Sequence, residues 1–512
     1  MTSTVSALPA LLTFAPTPSL SALSYRVPSS LITAPLLLTL NLCNAPSPFN
    51  ASDLSIFSAF TNSTFAYSAP IYGGFANLSV PLTTDSKDVT ITLESGGSTD
   101  YFFELGVSAS SNAWHVLDKV PLFAFEDSDS SNALLTSPTY PSAILAAPPV
   151  YQPMISNSQS VRDDLSNSSC YVRSLSSLVA KSNIDTTITN RGVVELSLPE
   201  GGYVNETARG GKRIQYAIEG LQGGTNYSVW ALQNNGMTTG NGNGSRLFAR
   251  QFIATKSSDN CRLLYNVPFC PNLAYSVPAP PSMDTLSLLA LYNASVVPSL
   301  SAFNITLSTF PCQDPIRKEQ GMYSHVRTCD QCLEAYNSWL CAVVMPRCTD
   351  PGPQFGNITT FQRTSANNSR TPSLPDSAFP YTELPPCIGV CQLVAASCPP
   401  VISSIFNCPL RSITLEQSYS TPFQNQIIFS NVQGGDDPAW LGATLEKDGP
   451  ATRAKDKWGN VRCNDMGVEV LLQRRRWSGS SAGAASKGMT IGQIVAGLVP
   501  ICVLLPALAQ AL

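Results

Sequence analysis

The sequence CRLLYNVPFCPN at residues 261–272, with CDQCLEAYNSWLCAVVMPRC at 329–348, PPCIGVCQLVAASCPP at 385–400 and FNCP at 406–409, decides how this chain is organised. It belongs to a region that holds twelve of the fifteen cysteines. These are Cys261, Cys270, Cys312, Cys329, Cys332, Cys341, Cys348, Cys387, Cys391, Cys398, Cys408 and Cys463. Everything before and after this region is interpreted as presenting it outside a cell.

The spacing within this region indicates helices. Residues at i, i+4, i+7, i+8 and i+11 share one helical face, which holds for Cys332, Tyr336, Trp339, Leu340 and Val343. Cys387, Cys391 and Cys398 also fall on one helical face, and Asp284 stands where it caps a helix that begins at Thr285. We therefore predict a mainly helical Cys-rich domain at 257–465, with a polar, Pro-rich exposed loop at 349–386.

Disulfides explain these cysteines better than metal or redox chemistry. His325, Cys329 and Cys332 have a spacing that zinc accepts, but the region contains a single CxxC. A thioredoxin-like motif is disfavoured because no βαβ pattern surrounds this CxxC. We expect no metal and no cofactor. Six bridges are predicted, and each typically contributes about 2–4 kcal/mol to stability by restricting the unfolded chain.

Composition places the chain in the secretory pathway. Charged residues make up 12%, against roughly 25% in typical proteins. The net charge of −4 provides no basic field for nucleic acid. Sequons for N-glycosylation, which imply a lumenal ectodomain with oxidised cysteines, occur at eleven asparagines. They are Asn50, Asn62, Asn77, Asn167, Asn205, Asn226, Asn243, Asn293, Asn304, Asn357 and Asn367.

The residues before the Cys-rich region indicate β structure. Segments such as DVTITLES at 88–95 alternate apolar and polar residues, which is typical of half-buried strands. Such strands predict β-sandwich-like domains at 31–145 and 161–256, joined by a Pro-rich linker at 146–160. The fold class is therefore multi-domain. A bridge between Cys43 and Cys170 is compatible with the sequence but does not follow from it.

The N-terminal residues carry a weaker targeting pattern than the C-terminal residues. Residues 1–30 are an atypical or missing signal region, because no basic residue precedes the mildly apolar stretch VSALPALLTFA. Residues 478–512 carry small residues, a short spacer and an uncharged apolar end, which matches a GPI-attachment signal; the attachment residue lies among 478–486, with Ser481 as the candidate. A retained single-span anchor and a buried C-terminal helix are the alternatives.

No catalytic constellation is visible, and we predict that the protein is not an enzyme; a glycosidase with two carboxylates remote in the sequence is the alternative. The chain has two histidines, His115 and His325, and neither lies in a hydrolase motif. A lone histidine such as His115 is more often structural than a ligand. The acidic run EDSDSS at 126–131 lacks the glycine and the final glutamate of an EF-hand loop, so a solvated turn is expected there.

The Cys-rich blocks resemble the Cys-rich domain of Frizzled-type receptors. Together with the glycosylated β-rich half, residues 30–465 resemble the fungal stretch-activated calcium-channel component of the mating-induced-death family, most specifically at Cys329–Cys348. The auxiliary subunit of the animal sodium-leak channel has a related module. The resemblance implies an extracellular regulatory subunit of a high-affinity, voltage-gated-type calcium channel at the plasma membrane, which supports calcium influx under stress.

The sequence favours an auxiliary role over an autonomous pore, because one terminal apolar segment does not form a conventional ion pathway unless many copies assemble. We hypothesise that the Cys-rich domain contacts extracellular loops of a pore-forming α subunit. Tyr323, Tyr336 and Trp339 are candidate contacts, although burial explains Tyr336 and Trp339 at least as well. The alternative is a GPI-anchored cell-surface or cell-wall binding glycoprotein with no channel role.

Overall fold

A computed structural model describes residues 2–14, 22–45, 56–62, 65–81, 88–94, 101–110, 112–137, 151–176, 189–192, 212–239, 242–310, 328–350, 360–364 and 380–403, and the single positions 406, 408, 419, 463, 464 and 466. Over these residues the chain is mostly β-strand, in six sheets, with few helices. The predicted β-rich character is confirmed.

The described strands between Thr2 and Ser108 form two sheets that share one core. Their strands are β1 (Thr2–Thr4), β2 (Ala10–Phe14), β3 (Ala22–Val27), β4 (Leu36–Asn44), β5 (Ile56–Asn62), β6 (Phe65–Ala69), β7 (Phe75–Val80), β8 (Val89–Glu94) and β9 (Phe102–Ser108). One sheet has the order β1-β3-β8-β5-β6 and the other β2-β9-β4-β7. Ile91 and Leu105, one from each sheet, are fully buried in the common core. The alternation in DVTITLES therefore produced the predicted strand β8.

Residues 2–14 and 22–27, within the region predicted to be an atypical or missing signal, are part of this fold. Strand β2 pairs with β9 and β3 pairs with β8. Leu11 and Tyr25 are buried. The apolar residues that resembled a weak signal thus occupy positions inside the β structure.

The next two sheets form a second layered unit. Their strands are β10 (His115–Leu117), β11 (Ala124–Ser128), β12 (Ala133–Thr136), β13 (Tyr151–Asn157), β14 (Thr189–Gly192), β15 (Lys212–Ile218), β16 (Asn226–Thr239), β17 (Gly242–Leu247) and β18 (Gln251–Ala254). One sheet has the order β10-β17-β16-β13, with β18 also on β16, and the other β11-β12-β15-β14. Leu135, Ile155 and Val229 meet in the core between them.

This second unit crosses the boundaries predicted from the sequence. Tyr151–Asn157, expected within a linker, is β13 and pairs antiparallel with β16. Strand β12, expected in the first domain, pairs with β15 of the second. The proline at position 153 did not prevent a strand, because β13 lies at the edge of its sheet, where a missing N–H is tolerated.

Helix α1 (Ser169–Ser176) connects the two β units. Tyr171 packs into the first core, and Val172 packs with Trp230 against the second unit. A disulfide between Cys43 and Cys170 fastens β4 to the start of this helix. The bridge that the sequence left open is therefore present.

The Cys-rich region mixes helices with two small sheets. Its elements are β19 (Cys261–Val267), β20 (Cys270–Pro278), α2 (Thr285–Ser308), α3 (Cys329–Val344), β21 (Arg347–Thr349), β22 (Phe361–Thr364), β23 (Pro380–Leu384), α4 (Ile388–Ser397) and α5 (Pro400–Ser403). Strands β19 and β20 form a hairpin, and the other sheet has the order β21-β23-β22.

Two predictions for this region were wrong. The helical pattern was expected from Cys261 onward, but 261–278 form the β19–β20 hairpin, in which Val267 pairs with Cys270 across a two-residue turn. The expected exposed loop at 349–386 contains β22 and β23, and Tyr381, Thr382 and Glu383 are buried. The buried Glu383 carboxylate is paired within this sheet, since Arg363 Nε–H donates to it at 2.9 Å.

The helix starts follow their capping residues. Asp284 caps α2 by accepting from the Ser287 N–H, as predicted, and the helix continues through Pro298 to Ser308. Thr328 and Gln331 form a reciprocal capping box at the start of α3. These local signals fix where the two longest helices of the described chain begin.

Candidate functional site

Disulfides tie helices α3 and α4 of the Cys-rich region to other parts of the described chain. The described pairs are Cys261–Cys348, Cys270–Cys341, Cys332–Cys398, Cys387–Cys463 and Cys391–Cys408. Cys329 is also disulfide-bonded, whereas Cys312 lies outside the described residues. Disulfide bonding, predicted from the cysteine pattern, is thereby confirmed.

Helix α3 is the centre of this network. Cys341 joins it to β20, and Cys332 joins it to the residue that ends α4. Both cysteines are at most 1% exposed. Because Cys332 is in a disulfide, its sulfur is not a zinc ligand, and His325 of the zinc alternative lies outside the described residues.

An aromatic cluster covers one side of α3. Tyr336 stacks on Phe303 of α2 with ring centroids 3.7 Å apart. Phe406 packs edge-on against Trp339 at 5.2 Å. The Trp339 Nε1–H donates to the Tyr419 hydroxyl at 2.9 Å. Tyr336 and Trp339 are half-buried, so they hold α2 against α3 while keeping part of their surface accessible; the third candidate, Tyr323, is outside the described residues.

The acidic run EDSDSS joins the second β unit to the Cys-rich region. Asp127, on β11, lies 2.5 Å from the Lys256 ammonium and 3.0 Å from Nε of Arg347. Arg347 also donates to the Glu126 carbonyl at 2.8 Å. All three charged side chains are more than 90% buried: Asp127 is 7% exposed, Lys256 is 9% exposed and Arg347 is 5% exposed. The expected solvated turn is therefore a buried ionic junction.

Backbone contacts extend this junction. The Ser276 N–H donates to Asp127 Oδ2, and the Leu263 N–H donates to Asp129 Oδ2, each at 2.9 Å. Leu263 also packs on Leu134 and Ala217 of the β unit. The two carboxylates thus bind both strands of the β19–β20 hairpin, and the acidic run aligns the Cys-rich region on the sheet.

The electrostatics of the junction favour an ionised Asp127. Burial alone would raise the pKa of this carboxyl, but the charges of Arg347 and Lys256 outweigh it and hold the pKa below its ordinary value. The acidic run is recognisable in the sequence because the chain has few charged residues. Its partners Lys256 and Arg347 are not recognisable there, because they are remote from it in the sequence.

A polar cavity of about 300 Å³ opens beside the junction and is lined in part by Asp129, Arg262 and Thr285. The Asp129 carboxylate is already occupied, since Oδ1 accepts from the Ser131 and Asn132 N–H groups at 2.9 and 2.7 Å. The calcium-loop interpretation of this run therefore has no free carboxylate at Asp129 to support it.

His115 lies in a closed polar cluster of the β half. It is 2% exposed, with Nδ1 3.1 Å from the Thr39 hydroxyl and Nε2 3.3 Å from Glu104 Oε2. Burial lowers the pKa of His115 despite the neighbouring Glu104. Cys43, Glu104 and Cys170 also lie close together, but both sulfurs are in a disulfide and are not available to a metal ion. This cluster has the features of a structural site.

The sequon asparagines differ in their surroundings. Asn77, Asn226, Asn243, Asn293 and Asn304 are exposed, whereas Asn167 is partly buried. Asn62 lies on β5 with its side chain undescribed. Asn50, Asn205, Asn357, Asn367 and the attachment candidate Ser481 lie outside the described residues.

These observations define a class: a β-rich protein whose disulfide-stapled Cys-rich region is locked to its β half by a buried ionic junction. The family model described as Mid1, stretch-activated Ca2+-permeable channel component, matches residues 36–435, which is more than half of the chain. The chain belongs to this family.

Curated relatives agree with the family match. The chain is 28% identical over 336 residues to the stretch-activated cation channel yam8 of Schizosaccharomyces pombe, covering 64% of this chain and 63% of that protein. It is 27% identical over 446 residues to the stretch-activated cation channel MID1 of Cryptococcus neoformans, with 73% and 64% covered. For MID1 of Saccharomyces cerevisiae the identity is 25% over 429 residues, with 74% and 76% covered. The match thus spans just under two thirds of the first two relatives.

Proposed function

We propose that this protein is the extracellular regulatory subunit of a high-affinity, stretch- or stress-activated calcium channel and that it supports calcium influx. Membership of a family of Ca2+-permeable channel components is the observation that carries the proposal. The relatives named above are described as stretch-activated cation channels.

An auxiliary role fits the described residues better than an autonomous pore. Among them, one helix, α2, is long and apolar enough to cross a membrane. That helix packs Leu288, Tyr292 and Val296 into the core of the Cys-rich region. A conventional ion pathway needs several spans, so we propose that a separate pore-forming α subunit of the voltage-gated type provides it.

The Cys-rich region is the proposed contact with that α subunit. Its bridges hold the elements in fixed positions, and a preorganised surface lowers the entropic cost of binding. Tyr336 and Trp339 present partly accessible aromatic surface, which is frequent in binding hot spots. Tyr323 stays a candidate contact from the sequence alone.

The fold of the Cys-rich region, the location of the protein, its membrane attachment and its lack of a catalytic role are further proposals. We propose a Frizzled-type fold for the Cys-rich region, location on the extracellular face of the plasma membrane, and membrane attachment through the tail at 478–512 with Ser481 as the GPI site. We propose no catalytic role, and the burial of His115 supports this. Superposition of an experimental structure on Frizzled domains tests the fold, and mass spectrometry of the mature C-terminus tests the anchor.

Co-purification of the full-length protein from fungal membranes tests the partner. We expect a pore-forming channel subunit to be recovered with it, and recovery of none would count against the proposal. In parallel, a deletion strain should lose stress-induced calcium uptake, the wild-type gene should restore it, and Cys341→Ala should not. Surface immunoblotting distinguishes a folding defect of that variant from a loss of channel regulation.

A surface-binding glycoprotein without a channel role is the second candidate. The many sequons and the GPI-like tail favour it. It predicts that the deletion strain takes up calcium normally under stress, so the same uptake assay decides between the two candidates.

A further inference from the structure

Helix α2 exposes an apolar stripe to solvent. Leu286 is 80% exposed and Val297 is 37% exposed, and these two lie on one line along the helix; Ile305, about 100° further round the axis, is 69% exposed. No residue of TLSLLALYNASVVPSLSAFNITLS is charged, so the exposed side lacks the ionised groups that usually keep a helix surface soluble. An uncovered apolar surface of this kind favours association with other molecules.

Two sequon asparagines lie on the same stripe. Asn293 and Asn304 are both exposed. At 100° per residue, positions i, i+7, i+11 and i+18 fall within about 40° of one another around the helix axis. The stripe residues at those positions are Leu286, Asn293, Val297 and Asn304. The two asparagines are separated by about 16 Å along the axis, which places one on each side of Val297.

Both sequons have a complete acceptor. Asn293 is followed by Ser295 and Asn304 by Thr306. In the finished helix each hydroxyl donates to a carbonyl one turn earlier, Ser295 to Leu291 at 3.4 Å and Thr306 to Ala302 at 3.0 Å. These bonds stay within the helix and leave the outward direction of both asparagines unobstructed.

Asn167 shows that the asparagine of a sequon is not always accessible to a sugar. A Cβ placed on Gly73 would meet Asn167 Nδ2 at 2.4 Å, so this amide packs directly over the glycine backbone. Its acceptor residue, Ser169, is 2% exposed and accepts a hydrogen bond from the Asn41 amide at 3.2 Å. A sugar on Asn167 would displace this corner, whereas sugars on Asn293 and Asn304 extend into solvent.

We infer that Asn293 and Asn304 each carry an N-linked oligosaccharide and that this pair covers the apolar stripe of α2. The transfer joins Nδ2 to the anomeric carbon of the sugar and breaks the anomeric C–O bond of a lipid-linked pyrophosphate donor. The pyrophosphate leaves with the bonding electrons, and the amide loses one proton. Helix α2 is then a glycan-shielded extracellular helix, neither a membrane span nor a protein-docking face.

The packing of α2 supports this assignment. A membrane-spanning α2 would have to withdraw Leu288, Tyr292 and Val296 from the core and break the Phe303–Tyr336 stack. Sugars on the exposed Asn293 and Asn304 require no such change. The inference depends on passage through the secretory pathway but not on the channel role, so loss of calcium uptake is not a readout for it.

The test uses the full chain secreted from a fungal host. Enzymatic deglycosylation in H2 18O, followed by peptide mass spectrometry, should convert both Asn293 and Asn304 to labelled aspartate. The pair N293Q/N304Q should lose two glycans, elute earlier in size-exclusion chromatography and bind more of a hydrophobic dye. The matched pair N77Q/N226Q removes two exposed sequons on strands and should lose two glycans without either change.

Two further arms separate shielding from misfolding. Trimming the folded wild-type protein with an endoglycosidase should reproduce the increase in dye binding, because folding is then complete. Adding L286S/V297S to N293Q/N304Q should reverse the earlier elution. Absence of sugar from either α2 asparagine, or equal behaviour of the two glutamine pairs, would overturn the inference.

Discussion

At the scale of single residues, the stability of the junction depends on Asp127. Removing this carboxylate leaves Lys256 and Arg347 buried without a counter-charge, and breaking a buried pair in this way typically costs about 3–5 kcal/mol. We expect Asp127→Ala to lower the melting temperature and to increase hydrogen exchange in the β19–β20 hairpin. Asp118→Ala, at an exposed pair with Arg246, should change both much less. Equal effects would mean that the buried junction contributes no special stability.

The same carboxyl predicts an acid limb of stability. Because the folded-state pKa of Asp127 is lowered, its contribution is present above the ordinary value of 3.8 and is lost as pH falls through the lower folded value. We expect the hairpin to loosen below about pH 4 in the wild-type protein. Hydrogen exchange of the hairpin against pH measures this. A transition centred near pH 6 would assign the effect to another group.

Glu334 on α3 should make stability depend on pH in the opposite direction, with a loss as pH rises. Burial, with a smaller effect from Asp330, raises the pKa of Glu334 to about 7 from an ordinary value of 4.5. The folded state therefore binds more protons than the unfolded state between these values, and stability falls as pH rises through that window. We expect Glu334→Gln to raise the melting temperature at pH 7.5 and to leave it unchanged at pH 4.5. The same shift at both pH values would contradict this.

Residue roles were predictable where they depend on neighbours in the sequence. Asp284 was recognised as a cap because the N–H group that donates to its carboxylate belongs to Ser287, only three residues away. Asp127 was not recognised, since Lys256 lies 129 residues further along. Its burial follows from tertiary structure, which a local pattern of acidic and serine residues does not contain.

At the scale of elements, we expect a disulfide to contribute more to the free energy of unfolding when it encloses a longer segment of chain. Cys270 and Cys341 are 71 residues apart, and Cys391 and Cys408 are 17 apart. Loop-closure entropy predicts about 4 kcal/mol for the first bridge and about 3 kcal/mol for the second. We expect C270A/C341A to lower the melting temperature more than C391A/C408A. The reverse order would show that packing at α4, rather than loop length, determines the loss.

The helices were easier to predict than the strands around them. Helical spacing in 329–348 gave α3, and the local cap gave the start of α2. The β19–β20 hairpin was missed because Leu263 and Leu264 are both buried, one against the β half and one inside the Cys-rich core. A strand with burial on both faces loses the alternation that identifies it.

At the scale of the whole molecule, the β half is less divisible than the sequence suggested. Composition shifts mark a Pro-rich stretch near 146–160, but strand pairing crosses it in both sheets of the second unit. Pro-rich composition reports local backbone preference and contains no information on which distant strands pair. The family match at 36–435 likewise runs across this stretch.

This interleaving predicts how the chain divides into stable pieces. A fragment of 31–145 lacks β2 and β3, which pair with β9 and β8, and keeps β11 and β12 without β15, so we expect it to show no cooperative unfolding. A fragment of 2–256 retains every strand pair of the four β-half sheets and should unfold cooperatively. It should melt below the full chain, because Asp127 loses Arg347 and Leu134 loses Leu263. Near-ultraviolet circular dichroism during heating of the secreted fragments measures this, and cooperative melting of 31–145 would restore the boundary predicted from the sequence.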